Sequence, residues 1–295
     1  MLPGFCGTRG GGVCLFYTEM IQHIIEIVMD SPAGTELAGK LKGPDVRVRV
    51  TGIAGSLDAV VVAGLYRQLL RQVFVLCPDH ERAGRLADDL GACLGGETVI
   101  LYGGKEHRTR HPGGSDDARA LRALTAGEPV AVIAIAPALT ETLPPPATVS
   151  ARTFRLQRGE SYAFKDLIRR MGETGFLQRD LVDETGDFAF RGGILDIFPF
   201  GVENPVRLEF FGDTIESIRE FDPVSQRSIR PLDGVLILPD LKQSPTPESV
   251  SESATLPDYF AAGTLAVIFD SPCVVSVLAA TLGTSPEDAA PATLL

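Results

Sequence analysis

The sequence predicts an α/β chain in which a parallel-sheet domain is interrupted by an inserted α+β domain. Three observations carry this. Short apolar strands alternate with amphipathic helices over residues 46–135, the order that builds a parallel sheet. Residues 186–230 instead read as consecutive short antiparallel strands, cut by Gly192-Gly193, by the run from Pro199 to Pro205, and by Gly212-Asp213. Between the two lies residues 140–150, TETLPPPATVS, whose Pro144-Pro145-Pro146 suits neither a helix interior nor a sheet and reads as a stiff connector.

The first domain begins with a helix over residues 18–29, apolar at Ile21, Ile24, Ile25 and Val28, and stopped by Asp30-Ser31-Pro32. Residues 46–51, VRVRVT, alternate strictly and predict a strand. Helices follow over 57–71, 81–90 and 117–124, and strands over 73–76, 99–102 and 130–135. Residues 1–19 are Gly-rich and carry no clear pattern, so they read as an N-terminal extension, with Met1 or Met20 as the true start.

The turn after the first expected strand tests for nucleotide binding. A phosphate loop needs G-x-x-x-x-G-K-[ST]: glycines free the backbone N–H groups, Lys neutralises phosphate, and the hydroxyl holds Mg²⁺. Here the run is Gly52, Ile53, Ala54, Gly55, Ser56, Leu57, Asp58, Ala59. Leu57 replaces the second glycine, Asp58 the lysine and Ala59 the hydroxyl. One charge pair at 4 Å is worth roughly 4 kcal/mol at an intermediate dielectric, so reversing its sign shifts phosphate binding by roughly twice that. The fold class that results is a degenerate P-loop, RecA-like domain; an unrelated glycine-bearing turn is the alternative.

In the inserted domain, residues 152–156 predict a strand. Ser161 is the expected N-cap of a helix over 162–173, with Phe164, Leu167, Ile168 and Met171 on one stripe. Residues 205–211 and 214–222 flank the two-residue turn Gly212-Asp213 and form a tight hairpin. Alternation turns Val206, Leu208 and Phe210 to the core and leaves Arg207, Glu209 and Phe211 on the other face. An outward aromatic beside an arginine is hot-spot composition, worth roughly 2 kcal/mol or more. The alternative is that another part of the chain covers Phe211. Beyond this domain, 231–241 return the chain to the first domain. Residues 243–254 read as a linker, 265–270 as a strand, 274–280 as a short helix, and 283–295 as a disordered tail.

Composition narrows the functions. The net charge is −11, and no basic cluster stands ready to neutralise a phosphate backbone, which argues against nucleic acid as the main partner. No apolar run is long enough to span a bilayer. The five cysteines are scattered, odd in number and without metal-ligand spacing, which predicts reduced thiols in the cytoplasm. His107 and His111, and the acids Asp183, Glu184 and Asp187, read as solvated loop and turn residues. Arg169-Arg170 fall on the polar side of their helix.

Three ordered runs carry a resemblance: 186–199 (GDFAFRGGILDIFP), 205–213 (PVRLEFFGD) and 215–228 (IESIREFDPVSQRS). They resemble domain 2 of the transcription-repair coupling factor (Mfd) family and, more distantly, the same region of the excision-repair protein UvrB. The resemblance implies that residues 20–149 are 1A-like, that 150–235 are a domain-2-like module binding the damage-recognition ATPase UvrA, and that 236–295 hold a return strand, a linker and a partial 1B-like segment. It implies UvrA contacts at Arg191, Arg207 and Phe211, so that Phe211→Ala or Arg207→Glu weakens binding without unfolding the domain. It further implies that RNA polymerase, double-stranded DNA, ATP and Mg²⁺ engage domains of the complete family protein whose motifs are absent here, so this chain is a fragment or a truncated product and not itself an enzyme. In such proteins the same module folds back and masks its UvrA-binding face. A UvrB-like ATP-dependent helicase subunit and a DNA-binding fragment are the alternatives. Against the first, no Asp-Glu box follows a strand, and only a short loop joins Tyr102 to Ala118 where UvrB-like proteins insert an aromatic hairpin.

Overall fold

The computed structural model describes residues 11–43, 46–104, 116–240 and 253–283. Helix α1 (Gly11–Asp30) starts well before the expected position, while residues 1–10 lie outside the described residues. Ser31 both stops α1 and opens α2 (Pro32–Lys40). Its hydroxyl donates to Val28 O at 2.6 Å and accepts from Gly34 N at 3.1 Å, and Pro32 follows at the first helical position, where its missing N–H costs nothing. The elbow is tight: a Cβ on Gly34 would meet Val28 O at 2.3 Å.

The expected strand over 46–51 is corrected by the structure. The segment is irregular and largely exposed, and it joins no sheet. A strand inside a parallel sheet is covered on both faces and needs a continuous apolar run; Arg47 and Arg49, alternating with the valines of VRVRVT, work against that. The sheet is built instead from β1 (Val73–Cys77), β2 (Val99–Tyr102), β3 (Ala131–Ile135) and β12 (Leu265–Ile268), in the order β12-β1-β3-β2 and all parallel. VFVLC and AVIAI, the two inner strands, are buried at every residue. Helices α3 (Leu57–Leu69), α4 (His80–Leu94), α5 (Asp116–Ala126) and α8 (Ser271–Leu282) accompany it. Strand β12 lies beside β1, so residues 265–268 join this first sheet.

Of Pro144-Pro145-Pro146, the first two stay outside any helix, with Pro145 extended (φ −58°, ψ 145°) as a stiff connector would be, and Pro146 starts a helix where none was expected. Helix α6 (Pro146–Arg152) has Pro146 in its first turn, and Val149 packs into the first core. Leu143 and Ala254 exchange backbone hydrogen bonds at 2.8 and 3.0 Å, so the chain leaves and re-enters the first unit at adjacent points. The expected loop histidines His107 and His111, most of the 243–254 linker, and the tail from 284 onward lie outside the described residues.

The second unit opens on β4 (Phe154–Gln157) and α7 (Phe164–Glu173). Ser161 does not cap α7. Backbone bonds from Gly159 N to Ile215 O and from Tyr162 N to Asp213 O hold the chain extended until Ala163, and the Ser161 hydroxyl meets Thr214 Oγ1 at 2.8 Å. A six-stranded sheet follows: β5 (Leu177–Gln178), β6 (Asp187–Arg191), β7 (Ile194–Ile197), β8 (Val206–Phe211), β9 (Thr214–Phe221) and β10 (Ser228–Leu232), in the order β10-β9-β8-β7-β6-β5. It is antiparallel from β6 to β10 and parallel at β5. Strand β11 (Gly234–Ile237) pairs with β4, and its Val235 and Ile237 belong to this second core, so the chain has not yet returned to the first. Leu167 and Met171 of α7 are buried in the same core as Leu195, Ile197, Val206 and Leu208.

A candidate partner-binding face

Two glycine turns set the geometry of the outer face. Gly192 and Gly193 both take positive φ (56° and 94°), which a two-residue I′ hairpin demands, and this turn places Arg191 opposite Ile194. At the next hairpin only Gly212 is left-handed (φ 60°), the II′ pattern, and it places Phe211 opposite Thr214. Strand β9 carries a bulge: Glu209 pairs with Ser217 but Phe210 pairs with Ile215. The extra residue lets Ile215 and Ile218, three apart, both reach the core.

Strand β8 alternates without interruption. Val206 and Leu208 are buried, and Phe210 packs against the same core. The opposite face carries Arg207, Glu209 and Phe211, and across the sheet Arg191, Ile194, Asp196, Ser217 and Arg219. Phe211 is 76% exposed and nothing in the described chain covers it. Arg191 is exposed, and among the described residues its side chain makes no ion pair or hydrogen bond.

Arg207 is held differently. Its Nε and Nη2 donate to both carboxylate oxygens of Asp196 at 2.6 and 2.8 Å, and Nη2 also reaches Gln226 Oε1 at 2.9 Å. Its guanidinium lies over the Phe221 ring, 4.5 Å from the centroid. The bond to Asp196 raises the arginine's pKa above its ordinary value. Asp196 is only 6% exposed. Two further acids on this sheet are paired: Glu209 accepts from Ser217 Oγ at 2.7 Å and from Arg219, and Glu220 accepts from Arg230 at 2.5 Å; Glu216, at the β9 bulge, is exposed. Asp196, Phe221 and Gln226 are the residues that sequence reasoning missed. One signal was present, an acid at an outward position of an otherwise apolar strand, Ile194-Leu195-Asp196-Ile197.

Asp187 is no solvated turn residue. It is buried, accepts the backbone N–H of Glu184 at 3.1 Å, and faces Arg179 at 3.5 Å. On α7, Arg169 pairs with Asp166 and Glu173, while Arg170 stacks on Phe154 at 4.0 Å.

The loop from Gly52 to Ala59 belongs to the other unit. Gly52 and Gly55 take positive φ (80° and 61°), Ser56 makes no side-chain cap, and α3 begins at Leu57. Asp58 is 5% exposed; its carboxylate accepts the Ala59 N–H at 2.6 Å and pairs with Arg82, whose guanidinium lies 4.8 Å from the Phe269 ring centroid. A carboxylate thus takes the anion-binding position that a helix N-terminus offers.

Residues 154–242 match the model of the UvrB interaction domain. The chain is also similar to transcription-repair-coupling factors from Bacillus subtilis (33% identity over 196 residues), Myxococcus xanthus (35% over 210) and Staphylococcus aureus (30% over 185). These alignments cover 64%, 65% and 61% of the chain. They cover only 17%, 17% and 16% of the relatives, so the chain spans about one sixth of their length. The resemblance read from residues 186–228 to the UvrB-like module of the coupling-factor family holds. No helix among the described residues is long and apolar enough to cross a membrane.

Proposed function

We propose that this chain is the part of a transcription-repair coupling factor that recruits UvrA, and that it does so through the outer face of the UvrB interaction domain. The observation that carries this is the exposed Phe211 on a face where Arg207 and Glu209 are already held by partners within the sheet. An uncovered aromatic on the same sheet face as the unpaired cation of Arg191 is the composition of an interface core with a polar rim. Arg207 contributes by holding the strand rigid as well as by any contact of its own. RNA polymerase, double-stranded DNA and the ATP-driven translocase are assigned to the remainder of the longer protein, and the cytoplasm is its compartment. The chain alone is assigned no nucleotide chemistry. The alternative, an ATP-consuming UvrB-like helicase subunit, is disfavoured by the Asp58 carboxylate and its Arg82 partner.

Titration calorimetry with purified UvrA tests this reading. The wild-type chain is expected to bind saturably, and Phe211→Ala to weaken binding at least tenfold. Equal affinity for the two proteins would remove Phe211 as the anchor.

A further inference from the structure

The segment VRVRVT keeps a strand's sequence without a strand's partner. Residues 46–51 alternate valine with arginine or threonine, and strict alternation of β-branched residues is strong strand chemistry. Yet among the described residues no backbone hydrogen bond reaches Val48 to Ala54. Beside this unpaired backbone lies a groove of about 580 Å³, bounded by the segment itself, α1, α2 and the start of α3. Its walls include Ile27, Leu37, Val48, Val50, Leu57 and Val61. The apolar surface continues along α1, where Met20, Ile24 and Ile27 are exposed at helical spacing.

An unpaired strand-forming backbone next to apolar pockets is what strand addition uses: main-chain bonds give affinity and alternate side chains give specificity. Charge selects the occupant. Arg49 lines the groove and has no ion-pair partner among the described residues, whereas the other two charged wall residues, Glu36 and Lys40, neutralise each other at 2.6 Å. A second copy of this chain is a poor occupant, because an antiparallel self-pair would set arginine against arginine across the ladder, and like charges directly opposite are destabilising.

We infer that residues 46–51 form a docking strand for an extended peptide segment that alternates apolar and acidic residues. The added strand pairs with the 48–51 backbone, seats its apolar side chains in the groove, and sets a carboxylate against Arg49. This inference is independent of the UvrA-binding face, which lies on the other unit.

The probes are two labelled peptides, one alternating valine with glutamate and one alternating valine with lysine, titrated by fluorescence polarisation against the whole chain. The glutamate peptide is expected to bind about tenfold more tightly, and Arg49→Glu to reverse the preference. Hydrogen exchange at Val48 to Thr51 is expected to slow on binding, which a peptide resting only on side chains would not cause. The inference is overturned if neither peptide binds, if both bind equally, if Arg49→Glu leaves the preference unchanged, or if the backbone gains no protection.

Discussion

Asp196 and Arg207 stand directly opposite each other on β7 and β8, and the arginine grips both oxygens of a carboxylate that is almost wholly buried. The pair makes Arg207 a structural residue whatever else it touches. Removing one partner of a buried pair leaves the other charge without compensation.

Arg207→Glu is therefore expected to destabilise the second unit by about 2–3 kcal/mol, since it replaces the pairing with two adjacent carboxylates. Urea unfolding would show a lower midpoint. This corrects the expectation that such a change acts on binding alone. Any loss of UvrA affinity in that variant is interpretable only beside its stability.

Phe211→Ala gives the cleaner separation. With three quarters of its surface already in water, its removal is expected to shift stability by no more than about 0.5 kcal/mol. A melting curve that overlays the parent, together with the loss in calorimetry, locates the effect at the interface.

Gly34→Ala is expected to destabilise the elbow between α1 and α2 by about 2–3 kcal/mol. The added methyl would meet backbone atoms, Val28 O and Met29 Cα at 2.3 and 2.7 Å, which have little room to move. Gly39→Ala, where nothing lies within 4 Å, is the control in the same denaturation series.

Alkaline pH should weaken the fold. Burial pushes the Cys77 thiol up from 9.0 to about 12, and burial with the Glu160 hydrogen bond raises Tyr162 from 10.0 to about 12. Below pH 9 both groups keep their protons in both states, so their contribution is fully present. Between pH 9 and 12 the unfolded chain releases protons that the folded chain retains, and stability falls, by roughly 1 kcal/mol per pH unit for Cys77. Urea midpoints measured from pH 8 to 11 check the direction. At neutral pH, alkylation mapped by mass spectrometry should mark exposed Cys273 well before the buried Cys77 and Cys93.

A fluorescent ATP analogue is expected to show no saturable binding with or without Mg²⁺. Saturation in the micromolar range would overturn the reading of Asp58 and Arg82 as the occupants of the helix N-terminus.

Patterns within one strand were legible in the sequence; relations between strands were not. The alternation of β8 correctly separated Val206 and Leu208 from Arg207 and Phe211, because period two is a property of a single segment. The same rule misread residues 46–51, since alternation records which face a strand would bury and not whether a partner exists to complete the ladder. The bulge on β9 was hidden because Ile215 and Ile218 break the alternation by one residue. Ser161 looked like a cap, but the backbone bonds of Gly159 and Tyr162 outcompeted it. Asp196 was invisible as a partner of Arg207 because eleven residues and a loop separate them in the chain.

The pairing of β4 with β11 has a further consequence. Entry and exit of the second unit run side by side as neighbouring antiparallel strands. Such a unit is a cassette: it can be cut from its host at the two crossings with its own sheet intact, and the flanking chain can be rejoined by a short splice. Evolution could transplant it between otherwise dissimilar repair proteins by one insertion, without redesigning the scaffold that receives it.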